Sequence, residues 1–321
     1  MSTEAVIDEA RRSLRLARRI VVKAGTPVLT HVDGNIALGR IGSLVEQIAM
    51  LRQEGRDVIL VTSGAIGTGM HRMRRSMTLS QSIKDSVTGA PPHVRPEAAA
   101  AVGQSLLMNM YENLFSKYNM SCAQVLITED DIKDGETLSQ VCDTSVELLN
   151  LGIVPIINDN DAVTSRVTAV FASTTNEVQW DNDILASRLA TSLRADLLIT
   201  LTDMDALYAT SDEDGGGHGT AEPPTRIKRY RDGTNLARGG MHMDQLLSDG
   251  GRGDFSGRTR MSEEGMRGLV EATCSAVAGG VRAAVVTTGH HPLSLLRVVR
   301  GDDVGTLFLP AAAGSGVGSR L

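Results

Sequence analysis

Apolar and polar positions along the chain fall into two repeating forms. Ile20-Val21-Val22, Val58-Ile59-Leu60-Val61, Val125-Leu126-Ile127, Ile153 to Ile157 and Asp196 to Leu201 are short, mostly unbroken apolar runs without period-2 alternation. They predict strands covered on both faces. Between them, apolar residues recur at helical spacing. Ile41, Leu44, Val45, Ile48 and Leu51 follow the i, i+3, i+4, i+7 pattern, and Gly55 stops it. Glu97 to Tyr118, Thr137 to Leu149 and Asp183 to Leu193 predict further helices, the second with Gly152 just past its end. Ser76 to Pro96 is polar and proline-bearing and predicts a loop. Val167 to Phe171 and Glu177 to Trp180 predict a hairpin. Ala206-Leu207-Tyr208 has a helix-like pattern. Asp212 to Gly219 predicts a flexible loop, and Thr234 to Gly257, without apolar period, a mobile loop with an insertion. A helix at Met266 to Val277 and strands at Ala283 to Val286 and Thr306 to Leu309 follow. The Arg-rich start, with Arg11, Arg12, Arg15, Arg18 and Arg19, predicts a surface helix. Glu4, Asp8 and Glu9 argue against a transit peptide there.

Buried strands alternating with amphipathic helices predict an α/β chain: a three-layer α/β/α sandwich with a mainly parallel central sheet. Residues 1–310 read as one domain with an inserted loop about 244–264, and 311–321 as a flexible tail. Composition narrows the function classes. Aromatics are only 3%, so the core is aliphatic and base-stacking platforms are absent. A net charge of -6 makes the chain a poor general binder of phosphate backbones, so no nucleic-acid partner is expected. Cys122, Cys142 and Cys274 form no C-x-x-C pair, which excludes a zinc framework and points to a reducing, cytoplasmic setting. No apolar run reaches the ~18 residues of a membrane span, so no membrane partner is expected either.

In open α/β sheets ligands bind at the carboxyl ends of strands, and the unusual polar clusters fall at those ends. Lys23 ends an apolar run before Gly25-Thr26. It is one of five lysines in a chain with 27 arginines. An ammonium beside a glycine turn can meet a phosphate; the plain alternative is a lysine snorkelling out of the strand. Ser63-Gly64 opens a helix whose N–H groups suit an anion. Asn158-Asp159-Asn160-Asp161 is either a turn or a grip on an amino group. Within Asp181-Asn182-Asp183 one member is expected to cap a helix. Thr202-Asp203 is either another cap or a nucleotide contact. No residue set has metal-ligand spacing.

Taken in order, RRIVVKAGTPVLT, ALGRIGSLVEQIAMLRQEGRDVILVTSGAIGTG, AAAAVGQSLLMNMYENLFSKY, CAQVLIT, GIVPIINDNDAV, DNDILASRLA, DLLITLTDMDALY and GGM resemble the amino acid kinase superfamily. Within it they are most similar to the glutamate 5-kinases and the kinase half of Δ1-pyrroline-5-carboxylate synthases. The resemblance implies the amino acid kinase fold and ATP-dependent phosphorylation of the γ-carboxylate of L-glutamate, the first step toward proline. It implies catalytic roles for Lys23 and Asp183. It gives glutamate binding to Ser63, Gly64, Asn158, Asp161 and Asn182, and ATP binding to Lys23, Thr202, Asp203, Gly239, Gly240 and Met241. The N-terminal part would hold glutamate and the C-terminal part ATP, which carries Mg2+. Proline as feedback inhibitor, a homo-oligomer and a separate glutamyl phosphate reductase also follow from the likeness. With only a short tail after Leu309, the extra domains that many relatives carry are not expected in this sequence.

One motif departs from the family. Its nucleotide loop reads roughly G-x-G-G-M-x-x-K, and the lysine position is Asp244 here. An alternative alignment, Gly265 to Leu269, also lacks the lysine. Arg238 or Arg267 are then candidate replacements. Three readings stay open: a working kinase with a remodelled loop, a weakened relative that binds ATP or amino acid as a regulatory partner, and another carboxylate or carbamate kinase.

Overall fold

The computed structural model describes residues 3–80, 94–164, 181–209, 225–230 and 263–310. The apolar runs form β1 (Arg19–Ala24), β2 (Asp57–Val61), β3 (Cys122–Ile127), β4 (Val154–Asp159) and β5 (Leu197–Thr202). A two-residue pair follows, β6 (Tyr208–Ala209) and β7 (Thr225–Arg226), then β8 (Ala283–Thr288) and β9 (Thr306–Phe308). Seven of them make one sheet in the order β3-β4-β2-β1-β5-β8-β9. All neighbours are parallel except β8 and β9, which are antiparallel. β1 lies in the middle, with Lys23 level with Val61 on β2 and Thr200 on β5.

The helices are α1 (Thr3–Ser13), α2 (Thr26–Leu29), α3 (Leu38–Gln53), α4 (Ala65–Ser80), α5 (Pro96–Phe115), α6 (Glu129–Lys133), α7 (Gly135–Asn150), α8 (Asn182–Ser192), α9 (Glu263–Ala278) and α10 (Ser294–Val299). Successive strand residues point to opposite faces, so each strand feeds two cores. Val22, Leu60 and Ile199 pack with Ile41 and Ile48 of α3, Leu107 of α5 and Leu295 of α10. Val21, Ile59 and Leu198 pack with Leu185 and Leu189 of α8 and Leu269 of α9. Removing such an aliphatic side chain from water contributes about 1.5–3 kcal/mol, and covering both faces is what a parallel sheet requires. The predicted three-layer α/β/α sandwich is the observed architecture.

Local chemistry sets the helix starts. Asp134 caps α7 by accepting from the Thr137 N–H at 3.1 Å. Thr128 and Asp131 cap α6 reciprocally, a capping box. α4 and α5 cross at glycines: a Cβ on Gly69 would run into the Ala99 carbonyl, and one on Gly103 into the Ala65 carbonyl. The backbones therefore touch where any side chain would push them apart.

Three expectations are corrected. The loop predicted from Ser76 begins later, because α4 runs through Ser80: Met, Arg and Leu between positions 70 and 80 favour helix and no proline interrupts them. Ala206 to Tyr208 is not helical. Leu207 and Ala206 are buried, and Tyr208 opens the antiparallel pair with β7. The N-terminal helix is not purely a surface element. Arg11 is 2% exposed, and its guanidinium donates to the carbonyls of Asp302, Val304, Lys228 and Gly305. It also lies 3.3 Å from the Asp303 carboxylate. Five N–H donors on a planar fork suit such a cluster of acceptors; burial lowers the pKa of this guanidinium. The hairpin predicted at 167–180, the loop at 212–219, residues 244–262 of the insertion and the tail 311–321 lie outside the described residues, while Glu263 and Glu264 already belong to α9.

Candidate active site

β1 carries Lys23 to the carboxyl rim of the sheet, where the residue is 7% exposed. The ammonium does not snorkel to solvent. Its Nζ donates to Asp183 Oδ2 at 2.8 Å. The turn beyond it folds back tightly: the Gly25 N–H donates to the Leu201 carbonyl at 3.1 Å, and a Cβ on Gly25 would stand 3.3 Å from that oxygen. This contact brings the end of β1 against the end of β5.

Asp183 comes from the first turn of α8. The start of that helix is held by Asp181, whose Oδ1 accepts from the N–H groups of Asp183 at 2.8 Å and Ile184 at 3.1 Å. This is the expected Asx cap. With Asp183 Oδ2 on the lysine, its Oδ1 is buried and has no hydrogen-bond partner among the described residues. A buried carboxylate oxygen in that state is costly. It suits a site built to receive a cation or a donor from a bound molecule.

On one side of Lys23 the rim is lined by amides. β2 leads into Ser63, which is 7% exposed, and Gly64 at φ +88, a left-handed turn that glycine adopts without strain. β4 ends in Asn158 and Asp159. Asn182 joins the two segments: its Nδ2 donates to Ser63 Oγ and to Asn158 Oδ1, each at 3.1 Å. Its Oδ1 accepts from the Asp159 N–H at 3.4 Å. Asn158 Nδ2 in turn donates to Gln104 Oε1 on α5 at 2.8 Å. Beneath them Thr62 and Tyr111 share a hydrogen bond of 2.8 Å, and full burial pushes the Tyr111 phenol well above its ordinary pKa. A cavity of about 530 Å³ opens beside this network, lined by Ala65, Gln104, Asp159, Asn160 and Asp161 among others.

On the other side of Lys23, β5 ends in Thr202 and Asp203 follows it, both buried, with the threonine hydroxyl donating to the aspartate at 3.0 Å. No helix begins there, so neither residue is a cap. Thr202 pairs with Thr288 of β8. The rim thus has a paired cation at its centre, an amide cradle to one side and a hydroxyl–carboxylate pair to the other. That arrangement can offset spreading negative charge between two bound molecules.

The structure brings Lys23, Asp183, Ser63, Asn158 and Asn182 into one connected cluster through the contacts above, with Gly64 beside Ser63. Asp161 stands on the wall of the adjoining cavity, and Thr202 ends the neighbouring strand with Asp203 directly after it. Gly239, Gly240, Met241, Arg238 and Asp244 lie outside the described residues. The alternative alignment after the insertion does not fit the rim, because Leu269 is fully buried in the apolar core. Arg267 pairs with Glu271 on the exposed side of α9 at 3.2 Å. The sequence reading missed Gln104. Its signal is a polar residue on the buried stripe Ala100, Gly103, Leu107, Tyr111 of α5.

Comparison with known proteins agrees with this fold. The model of the Amino acid kinase family matches residues 18–288. The chain is 36% identical to a glutamate 5-kinase of Symbiobacterium thermophilum, over 93% of this chain and 98% of that one. It is 35% identical to a Δ1-pyrroline-5-carboxylate synthase of Solanum lycopersicum over 94% of its own length, and spans 39% of the synthase. Among solved structures, isopentenyl phosphate kinase of T. acidophilum covers 90% of the chain, and the chain covers 99% of it, at a TM-score of 0.52 and 13% identity. N-acetylglutamate synthase of Neisseria gonorrhoeae is matched over 98% of this chain and 67% of that one, at a TM-score of 0.55 and 15% identity. At such identities the two structures speak for the fold alone. With the family model covering most of the chain and a near full-length relative above a third identity, this chain belongs to the amino acid kinase family.

Proposed function

We propose that the chain catalyses transfer of the γ-phosphoryl group of ATP to the γ-carboxylate of L-glutamate, giving L-glutamyl 5-phosphate, the first step toward proline. The observation that carries this reading is the buried Lys23–Asp183 pair set between the amide cradle and Thr202-Asp203. A carboxylate oxygen attacks the γ-phosphorus while the bond to the β-bridging oxygen breaks and ADP leaves. The nucleophile is already ionised at neutral pH, so no general base is needed. The burden falls on positioning and on charge. Lys23 would lie against the transferred group. Asp183 would hold that ammonium in place. Ser63, Gly64, Asn158, Asp161 and Asn182 would bind glutamate, and Thr202, Asp203, Gly239, Gly240 and Met241 would bind ATP. Mg2+ would be held through ATP oxygens rather than by a protein cage.

In this reaction the labile acyl phosphate needs a separate reductase to consume it. Proline as feedback inhibitor, a homo-oligomeric working form and a cytoplasmic setting belong to the same reading. Among the described residues no helix is long and apolar enough to cross a membrane. Incubation with Mg-ATP, L-glutamate and hydroxylamine tests the proposal: γ-glutamyl hydroxamate should form. Glutamate or ATP binding without product would instead favour a regulatory relative. Asp244 is the residue that motivates this second outcome. Asp244→Lys should then raise the rate, by up to about 10²–10³ if the lost cation matters as much as an oxyanion-hole donor.

A further inference from the structure

The cradle amides have a direction, and that direction ends in an unspent donor. A backbone N–H can only donate, so the contact from Asp159 N fixes which end of the Asn182 amide is oxygen. The Asn182 nitrogen must therefore face Asn158 Oδ1, and the Asn158 nitrogen must face Gln104 Oε1. Turning any one amide over would set oxygen against oxygen or nitrogen against nitrogen. The series leaves Gln104 Nε2 as its last group. That nitrogen is buried and has no acceptor among the described residues, in a residue that is 8% exposed. Gln104 also lines the 530 Å³ cavity beside Asp159 and Asp161, whereas Lys23 is not on its wall. Ser63 Oγ accepts from Asn182, so its own proton remains available to donate.

Resting on the proposed reaction, we infer that Gln104 is a specificity residue for the amino-acid substrate: its Nε2–H donates to the carboxylate of glutamate that does not react. The reacting carboxylate belongs at Lys23, on the other side of the cradle. The non-reacting one lies in the cavity that Gln104 lines. A buried donor without a partner is costly, and an acceptor on a bound molecule satisfies it. A ligand with a neutral group at that position loses a charge-assisted bond, which is how a site rejects a near-isostere.

The clean variant is Gln104→Glu. It keeps an oxygen for Asn158 Nδ2 and replaces the donor by a second, charged oxygen. Gln104→Met, similar in volume and apolar, removes both, and its melting temperature and circular dichroism separate a folding defect from a binding one. In the hydroxamate assay, Gln104→Glu should raise KM for L-glutamate by about 10- to 100-fold, the range for hydrogen bonds to charged groups, while KM for ATP is unchanged. Isoglutamine, which carries a carboxamide in place of the α-carboxylate, should be a far poorer substrate than glutamate for the natural protein. That preference should shrink by a similar factor in Gln104→Met. An unchanged glutamate KM in a folded, active Gln104→Glu protein overturns this inference and leaves the proposed reaction standing. If the natural protein neither phosphorylates glutamate nor binds it in calorimetry, both fall together.

Discussion

Lys23 and Asp183 are each less than a tenth exposed and 2.8 Å apart, which makes each the other's condition for being buried. Removing one partner leaves an uncompensated charge, and such changes cost about 3–5 kcal/mol. Lys23→Ala should therefore abolish hydroxamate formation, and turnover at an undiminished rate would remove Lys23 from the mechanism. Asp183→Asn keeps the shape and can still accept from the ammonium, so it separates positioning from folding. We expect kcat to fall by about 10²–10³ with a smaller change in KM for glutamate, as for loss of a group acting in the transition state. A variant that loses only affinity would instead make Asp183 a binding residue. At this scale the sequence was informative where chemistry is concentrated. Lysine at a strand end, in a chain that otherwise uses arginine, pointed to Lys23, and two Asx clusters pointed to the cradle. It was silent on Gln104, since a glutamine among alanines on a helix shows its partner only when β4 is brought beside it.

The elements hold these residues through two kinds of device, close crossing and capping. α4 starts directly after Ser63-Gly64, and α5 carries Gln104 next to Gly103, so the crossing of the two helices sets the spacing of the cradle. Gly103→Ala should destabilise the fold by about 1–3 kcal/mol through overpacking, read by chemical denaturation, and raise KM for glutamate. Stability and KM both unchanged would mean that the helices part without moving the site. Capping adds a pH dependence at α7. The Thr137 side-chain and backbone donors hold Asp134 below the ordinary aspartate range. A depressed carboxylate pKa stabilises the fold above the unfolded pKa, and the contribution is lost as pH falls through the folded one. Asp134→Ala should therefore be less stable than the natural chain near pH 7, and the gap should close as pH falls below the ordinary aspartate range. A gap that is constant with pH would assign the effect to packing. Strands and long helices were legible because apolar period needs no tertiary context. Ser76 to Ser80 and Ala206 to Tyr208 were misread because a polar helix looks like a loop, and a two-residue strand has no period at all.

For the molecule as a whole, the sheet order places β3, β4 and β2 on one flank of β1, the side proposed to hold glutamate, and β5, β8 and β9 on the other, the side proposed to hold the nucleotide. The alternation of strands and helices made the three-layer form legible; the strand order was not, because it depends on crossovers that sequence spacing does not record. Nor was the clasp by which Arg11 of α1 binds the carbonyls around β9 from almost the whole chain length away. Arg11→Ala should lower global stability by about 3 kcal/mol, measured by denaturant titration, since several charge-assisted bonds are lost at once. An unaltered midpoint would show that water replaces the guanidinium without cost. The central place of β1 has one more consequence. Its backbone is hydrogen-bonded on both edges, so the ammonium it carries is anchored to a strand that resists local opening. In heavy water, its amides should take up deuterium last, after those of the rim turns. Any closing of the two flanks around bound molecules then pivots about a stationary axle, with Lys23 as the fixed post.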